Sequence, residues 1–291
     1  MFLSLYYKEK DLIFSMTYSV SHWSGRVGNN IQQVANAIML SEVTKNTFTQ
    51  SLEHQIIDKF TIKFGDNVDS ASGRFYTWEP IVNCGNKNFD GGNEIGLSKD
   101  HIYSNMRRIC KEFIYPHLKV PELEPFDDDT LVIHIRGGDI IAHEYPADSP
   151  HNYVQNPLSY YLALIEDFKN VIIVAEKENN NPVIPELRKI DRLKFQSLSI
   201  AEDYATLLAA KNLATGGVGT FAVSAALCSK NIKNLFSSNA YLTEHLNCSM
   251  LCNTDVTVYE VELENYIPVY PCSWKNNAEQ RKLMLEYQLP Q

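Results

Sequence analysis

Positive charge, long apolar runs and closely spaced cysteines are all scarce in this chain. Lys and Arg number 26 against 35 Asp and Glu, a formal net charge of −9. That balance excludes a broad basic surface for nucleic acid or an anionic membrane, so any anionic ligand must be met by a few local groups. No apolar stretch approaches the ~20 residues of a membrane-spanning helix. Lys8, Glu9, Lys10 and Asp11 follow the first apolar residues too soon for a secretion-signal core, and a cytoplasmic protein is expected. The six cysteines, Cys84, Cys110, Cys228, Cys248, Cys252 and Cys272, are scattered and read as reduced thiols. Cys248 and Cys252 have no second Cys or His pair at zinc-site spacing, so no metal is expected there. No internal repeat or low-complexity tract is present.

What is present is an α/β alternation in a chain of 291 residues, 44% of them hydrophobic, long enough for two domains. Residues 12–20 read as a buried strand, followed by turn formers from Ser21 to Gly28. A helix is predicted from near Asn29, because Ile31, Val34, Ala35, Ile38 and Met39 recur at helical spacing. Asn83–Asn93 reads as a surface loop and Lys99–Ile114 as a helix. Pro116, Pro121, Pro125 and then Asp127-Asp128-Asp129 read as a linker, which divides the chain into 1–126 and 127–291. In the second part, strands at 131–136, 170–176, 213–215 and 232–236 alternate with helices at 158–168, 201–211 and 221–228. That order implies a mostly parallel sheet with ligands beyond the carboxyl ends of its strands.

Three loops follow predicted strands. Gly25-Arg26-Val27-Gly28-Asn29-Asn30 allows close backbone approach and a helix start that favours an anion. Its plain alternative is a tight turn with a helix cap. His134-Ile135-Arg136-Gly137-Gly138-Asp139 ends an apolar strand on a guanidinium, and alternation sends His134 and Arg136 to one side. The plain alternative is a structural ion pair of Arg136 with Asp139. Gly217-Val218-Gly219-Thr220-Phe221-Ala222 fits G-x-G-x-x-A, yet the next strand leads into Ser237-Ser238-Asn239 rather than the acid that binds ribose in dinucleotide sites.

These residues resemble the GT-B fucosyltransferase-like superfamily, which includes α-1,2-, α-1,6- and protein O-fucosyltransferases. Gly25, Gly28, Asn29 and Asn30 resemble its N-terminal glycine loop; His134, Arg136 and Asp139 its His-x-Arg-Arg-x-Asp motif; and Thr220-Phe221 its later Ser/Thr-Phe loop. Asn156–Tyr161 resembles its Tyr-Tyr helix, and Glu176 stands where an acidic strand end is usual. Gly137 replaces the family's second arginine, which opens the donor to a nucleotide sugar other than GDP-fucose, such as UDP-xylose. The resemblance implies two Rossmann-like domains with a nucleotide-sugar cleft between them, 1–126 on the acceptor side and 127–291 on the donor side.

It further implies catalytic roles for Arg136, Asn29 and Asp139. Donor contacts are implied for Gly25, Arg26, Gly28, His134, Glu176, Gly219, Thr220 and Phe221. The expected activity is an inverting transfer to a glycan hydroxyl that needs no metal or other cofactor. Asp139, Glu144 and Asp148 are candidate bases. Asp127-Asp128-Asp129 precedes a strand and reads as a solvated linker rather than a metal motif. Other classes are an NAD(P)-dependent oxidoreductase using the Gly217 loop and a catalytically inactive glycan-binding module.

Overall fold

The computed structural model describes residues 17–20, 22–65, 99–177, 180–243 and 245–290, with the backbone of 74–75. The predicted Asn83–Asn93 loop, Cys84 and residues 12–16 of the first predicted strand lie outside the described residues.

Strands β1 (Thr17–Val20), β2 (Thr47–Gln50), β3 (Phe60–Lys63) and β4 (Arg74–Phe75) form a sheet in the order β3-β2-β1-β4. β1 pairs in parallel with β2 and β4, while β3 runs antiparallel to β2. The second sheet holds β5 (Thr130–Ile135), β6 (Asn170–Ala175), β7 (Leu193–Gln196), β8 (Asn212–Ala214), β9 (Asn234–Ser238) and β10 (Thr257–Val261). Its order is β10-β9-β8-β5-β6-β7 and every pair is parallel. This is the doubly wound order, with strand sequence reversing between β5 and β8.

The helices are α1 (Val27–Thr44), α2 (Lys99–Ile109), α3 (Leu158–Glu166), α4 (Val183–Leu187), α5 (Ile200–Ala209), α6 (Phe221–Cys228) and α7 (Ala278–Glu286). No helix of the described residues is long and apolar enough to cross a membrane. The predicted helix 99–114 is α only to Ile109; Cys110–Ile114 is a π turn, and Pro116 then admits only a short 3-10 turn. α1 starts at Val27, two residues before the predicted position.

Alternation in the parallel strands divides the apolar core by sheet face. Val132, Val174, Leu213 and Leu235 join β1, β2, α1, α2, α5 and α6 in one cluster. Leu131, Ile133, Val171, Ile173 and Ala214 point the other way and join α3 and α7. α1 is buried on nearly all sides, which its run of Ile31, Val34, Ala35, Ile38, Met39 and Leu40 permits. Its buried amides are engaged: Gln32 accepts from the Leu246 N–H at 3.2 Å, and Gln33 accepts from Ser24 N–H at 3.1 Å.

The segment 119–129 connects the two sheets without regular structure. Asp128 is not merely solvated: its carboxylate pairs with Lys211 at 3.0 Å and Lys233 at 3.1 Å, clipping the starts of β8 and β9, and both lysines hold it below the usual carboxylate range. The five described cysteines are free. Cys248 donates to Glu260 at 3.2 Å rather than sharing a site with Cys252, which is exposed.

The two sheets are further joined by Arg107 of α2. Its guanidinium, 5% exposed, donates to the carbonyls of Ala226, Leu227 and Ser229 at 2.7, 2.8 and 2.6 Å, capping the end of α6, and pairs with Asp255 at 3.0 Å. Removing it leaves buried carbonyls without a donor, at roughly 1–3 kcal/mol each. Arg107→Met should therefore lower stability by at least about 2 kcal/mol, read as a fall in urea midpoint at unchanged slope. Arg107 and then Lys111 hold Asp255 well below the ordinary carboxylate range. Its contribution is therefore complete above about pH 4 and is lost only under stronger acid.

Candidate functional site

The reversal between β5 and β8 opens a crevice beyond the carboxyl ends of those strands. β5 delivers His134 and Arg136 there, and β8 leads through Thr215–Thr220 into α6. From the smaller sheet, β1 leads through residues 22–26 into α1. All three loops line one cleft of about 790 Å³, whose wall includes Gly25, Arg26, Gly28, His134, Arg136, Glu176, Gly219, Thr220 and Phe221.

The loops meet because Gly28 has no side chain. A Cβ there would lie 2.4 Å from the Thr220 hydroxyl and 2.5 Å from its carbonyl carbon. The Thr220 hydroxyl donates to Asn29 at 2.8 Å and locks the contact. Asn29 thus holds Thr220 rather than lining the cleft. Neither α1 nor α6 has a side-chain cap on its first turn, and neither carries an acid there. Two helix starts, each with unmet N–H groups and the positive end of its dipole, therefore adjoin the same space.

Two guanidiniums add to that field. Arg26 donates to Glu176 at 2.5 Å and to Asp139 at 3.0 Å, tying the first loop to the larger sheet. Asp139 also accepts from Arg136 at 3.3 Å, so one exposed carboxylate is shared by both arginines. Gly138 makes the turn between them with φ of +59°, and a Cβ there would meet the Glu176 carboxylate at 2.3 Å. Asn181 donates to the Arg136 carbonyl at 3.1 Å and fixes its backbone, while the cation lies 5.4 Å from the Tyr153 ring centre. The Arg136 side chain is only 20% exposed, and its Nε is buried with no hydrogen-bond partner. A buried donor left unmet costs about 1–3 kcal/mol, more when charged.

His134 packs against Phe221 with ring centres 5.0 Å apart. Desolvation, then Arg136 and Arg26, push its pKa down to about 3, so it is a neutral wall of the cleft. Asp139 is exposed between its two arginines and, like Asn29, is absent from the cleft lining. Glu144 and Asp148 are exposed and lie outside the cleft lining. Tyr160 and Tyr161 are fully buried core residues. Among the described residues no group of three or more His, Cys, Asp or Glu is placed to hold a metal ion.

Sequence reasoning missed Trp23, Glu53, His54, Ile200 and Asp203, which also line the cleft. His54 Nδ1 accepts from the N–H groups of Ile56 and Ile57 at 3.2 and 3.1 Å, which leaves the proton on Nε2 for Asn30 at 3.1 Å. Burial, then Lys119, lowers its pKa to about 4. With both nitrogens engaged, it is a structural strut. Asp203 could have been flagged as an acid in the first turn of a predicted helix; Trp23 and His54 belong to no motif.

Comparison with protein-family models, with curated proteins and with solved structures returned no match.

His54 and His134 bind protons more weakly when folded than the roughly 6.5 of an unfolded chain. Below that pH the unfolded chain takes up protons that the folded one refuses, so stability should fall from about pH 6.5 towards pH 4. His134→Gln should lose less urea midpoint between pH 7 and pH 5 than wild type. Equal losses would contradict a neutral, desolvated His134.

Proposed function

We propose that this chain is a glycosyltransferase that moves a sugar from a nucleoside-diphosphate donor, GDP-fucose or a related one, to a glycan hydroxyl. The transfer inverts the anomeric centre and needs no metal ion. In this reading the chain is of GT-B type, with 1–126 on the acceptor side and 127–291 holding the donor. The observation that carries it is the buried, unpartnered Nε of Arg136 in a cleft flanked by two uncapped helix starts.

A diphosphate entering that space supplies the acceptor Arg136 lacks and competes with Asp139 for its Nη groups. Gly219 leaves room for it: a Cβ there would meet only the Arg136 Cδ, at 3.9 Å. The acceptor hydroxyl oxygen attacks the anomeric carbon as the bond to the β-phosphate oxygen breaks; the electron pair goes to the departing diphosphate, and the hydroxyl proton passes to that phosphate or to water. Charge on that phosphate grows in the transition state, where a fixed guanidinium and N–H groups stabilise it more than in the ground state. Arg26 brings a second cation from the opposite loop, at a site where the motif itself carries Gly137.

Val174, Ala175 and Ile200 add apolar surface to the cleft lining, where a base can pack; the Asp203 carboxylate, also in the lining, is held by the Gln196 amide at 2.9 Å and the Leu198 N–H at 3.1 Å. The oxidoreductase reading lacks support, because β9 ends on Ser237 and Ser238, whose hydroxyls bond Thr215 at 3.0 Å and Asn156 at 2.6 Å. No acid stands there for a ribose.

Thermal unfolding with a panel of GDP-, UDP-, CMP- and dTDP-sugars tests the reading, and GDP-sugars should raise the midpoint most. Arg136→Ala should lower turnover at least about tenfold, towards the hundredfold of ~3 kcal/mol, with little change in melting temperature. Equal loss of both would make Arg136 structural. Activity should survive EDTA; loss on chelation with recovery on manganese would contradict the metal-free mechanism.

A further inference from the structure

The cleft wall supplied by the smaller sheet differs in chemistry from the wall that carries Arg136. It presents Trp23, Glu53, His54 and Gln55. Trp23 is partly buried: it packs against the core and also lines the cleft. Its indole N–H donates to the Glu53 carbonyl at 2.7 Å, and its ring meets His54 edge-on with centres 4.6 Å apart. The loop beneath is pinned as well, with Asn30 donating to the Ser24 carbonyl at 3.0 Å and Gln33 to the His22 carbonyl at 3.1 Å. This is a preorganised aromatic surface, held in place by the chain's own groups. Beside it stand the Glu53 carboxylate, paired with Lys59, and the Gln55 amide, whose side chain makes no hydrogen bond among the described residues.

We propose that Trp23, Glu53 and Gln55 form the acceptor subsite and take the pyranose ring of a neutral glycan. A pyranose has one face of C–H bonds, which suits the negative face of an indole, and a rim of hydroxyls, which needs a carboxylate and an amide. A wholly apolar ligand would leave the Gln55 amide unused, whereas a ring hydroxyl answers it and can share the Glu53 carboxylate with Lys59. The assignment to an acceptor rests on the glycosyltransferase reading; the sugar-binding surface itself does not.

The test uses methyl glycosides of galactose, glucose, mannose and N-acetylglucosamine as probes, with saturation-transfer NMR and calorimetry on the full chain. GDP and UDP are titrated separately. At least one glycoside should bind, and Trp23→Leu and Gln55→Ala should each weaken it about fivefold or more. GDP or UDP affinity should stay within about twofold. Trp23→Phe retains a ring and should lose less; with Gln55→Ala it decides the matter if Trp23→Leu does not fold. The inference is overturned if no glycoside binds wild type, if the variants bind glycosides normally, or if Trp23→Leu weakens nucleotide as much as sugar, which would place a nucleobase on the indole. Glycoside binding without any GDP or UDP binding would uphold the subsite and sink the transferase reading instead.

Discussion

Gly28 lies so close to the Thr220 backbone that even a methyl group would force α1 and α6 apart, and Asn29 seals the approach with a hydrogen bond from the Thr220 hydroxyl. Everything at the cleft follows from that contact. It sets two uncapped helix starts side by side, and it brings Arg26 within reach of Asp139 and Glu176 on the larger sheet. With Arg136, the result is two guanidiniums, each answered by Asp139 or Glu176, beside two helix starts in a chain of net charge −9. Acidity elsewhere makes that locality more selective: a large polyanion is repelled by the surface, while a small diphosphate can reach the crevice.

The charges within the crevice are paired with one another. Arg26 and Arg136 share Asp139, and Glu176 answers the remaining side of Arg26. The pairs made by Arg26 are largely exposed, and the Asp139 side of its pair with Arg136 is exposed too, so each contributes little to stability, about 1 kcal/mol. On the proposed reading, exchange of Asp139 for a phosphate would therefore meet a small opposing energy, and a partner for the Arg136 Nε would favour it.

Much of this was legible in the sequence, and for identifiable reasons. The continuous apolar runs at Leu131–Ile135 and Val171–Ala175 are what strands buried on both faces require, and Phe221–Cys228 was bounded correctly by its glycine loop and small residues. The short strands β2, β3 and β7, with Thr-Phe-Thr-Gln, Phe-Thr-Ile-Lys and Leu-Lys-Phe-Gln, are too brief and too polar to stand out, and none was assigned. At the site, glycines and strand ends pointed to Arg136, Gly28 and Thr220 because backbone geometry leaves a sequence signature. Trp23 and His54 left none, since they reach the cleft through tertiary packing alone, and Asp203 left only its place in the first turn of α5. The pairing of Arg26 with Glu176, 150 positions away, is likewise a product of the fold.

The most direct test of the central claim is a crystal structure of the chain with a nucleoside diphosphate bound. The account predicts a β-phosphate oxygen within hydrogen-bond distance of Arg136 Nε, facing the first turns of α1 and α6, with Asp139 released from Arg136. A diphosphate bound elsewhere, or one that leaves Arg136 Nε without a partner, would contradict it.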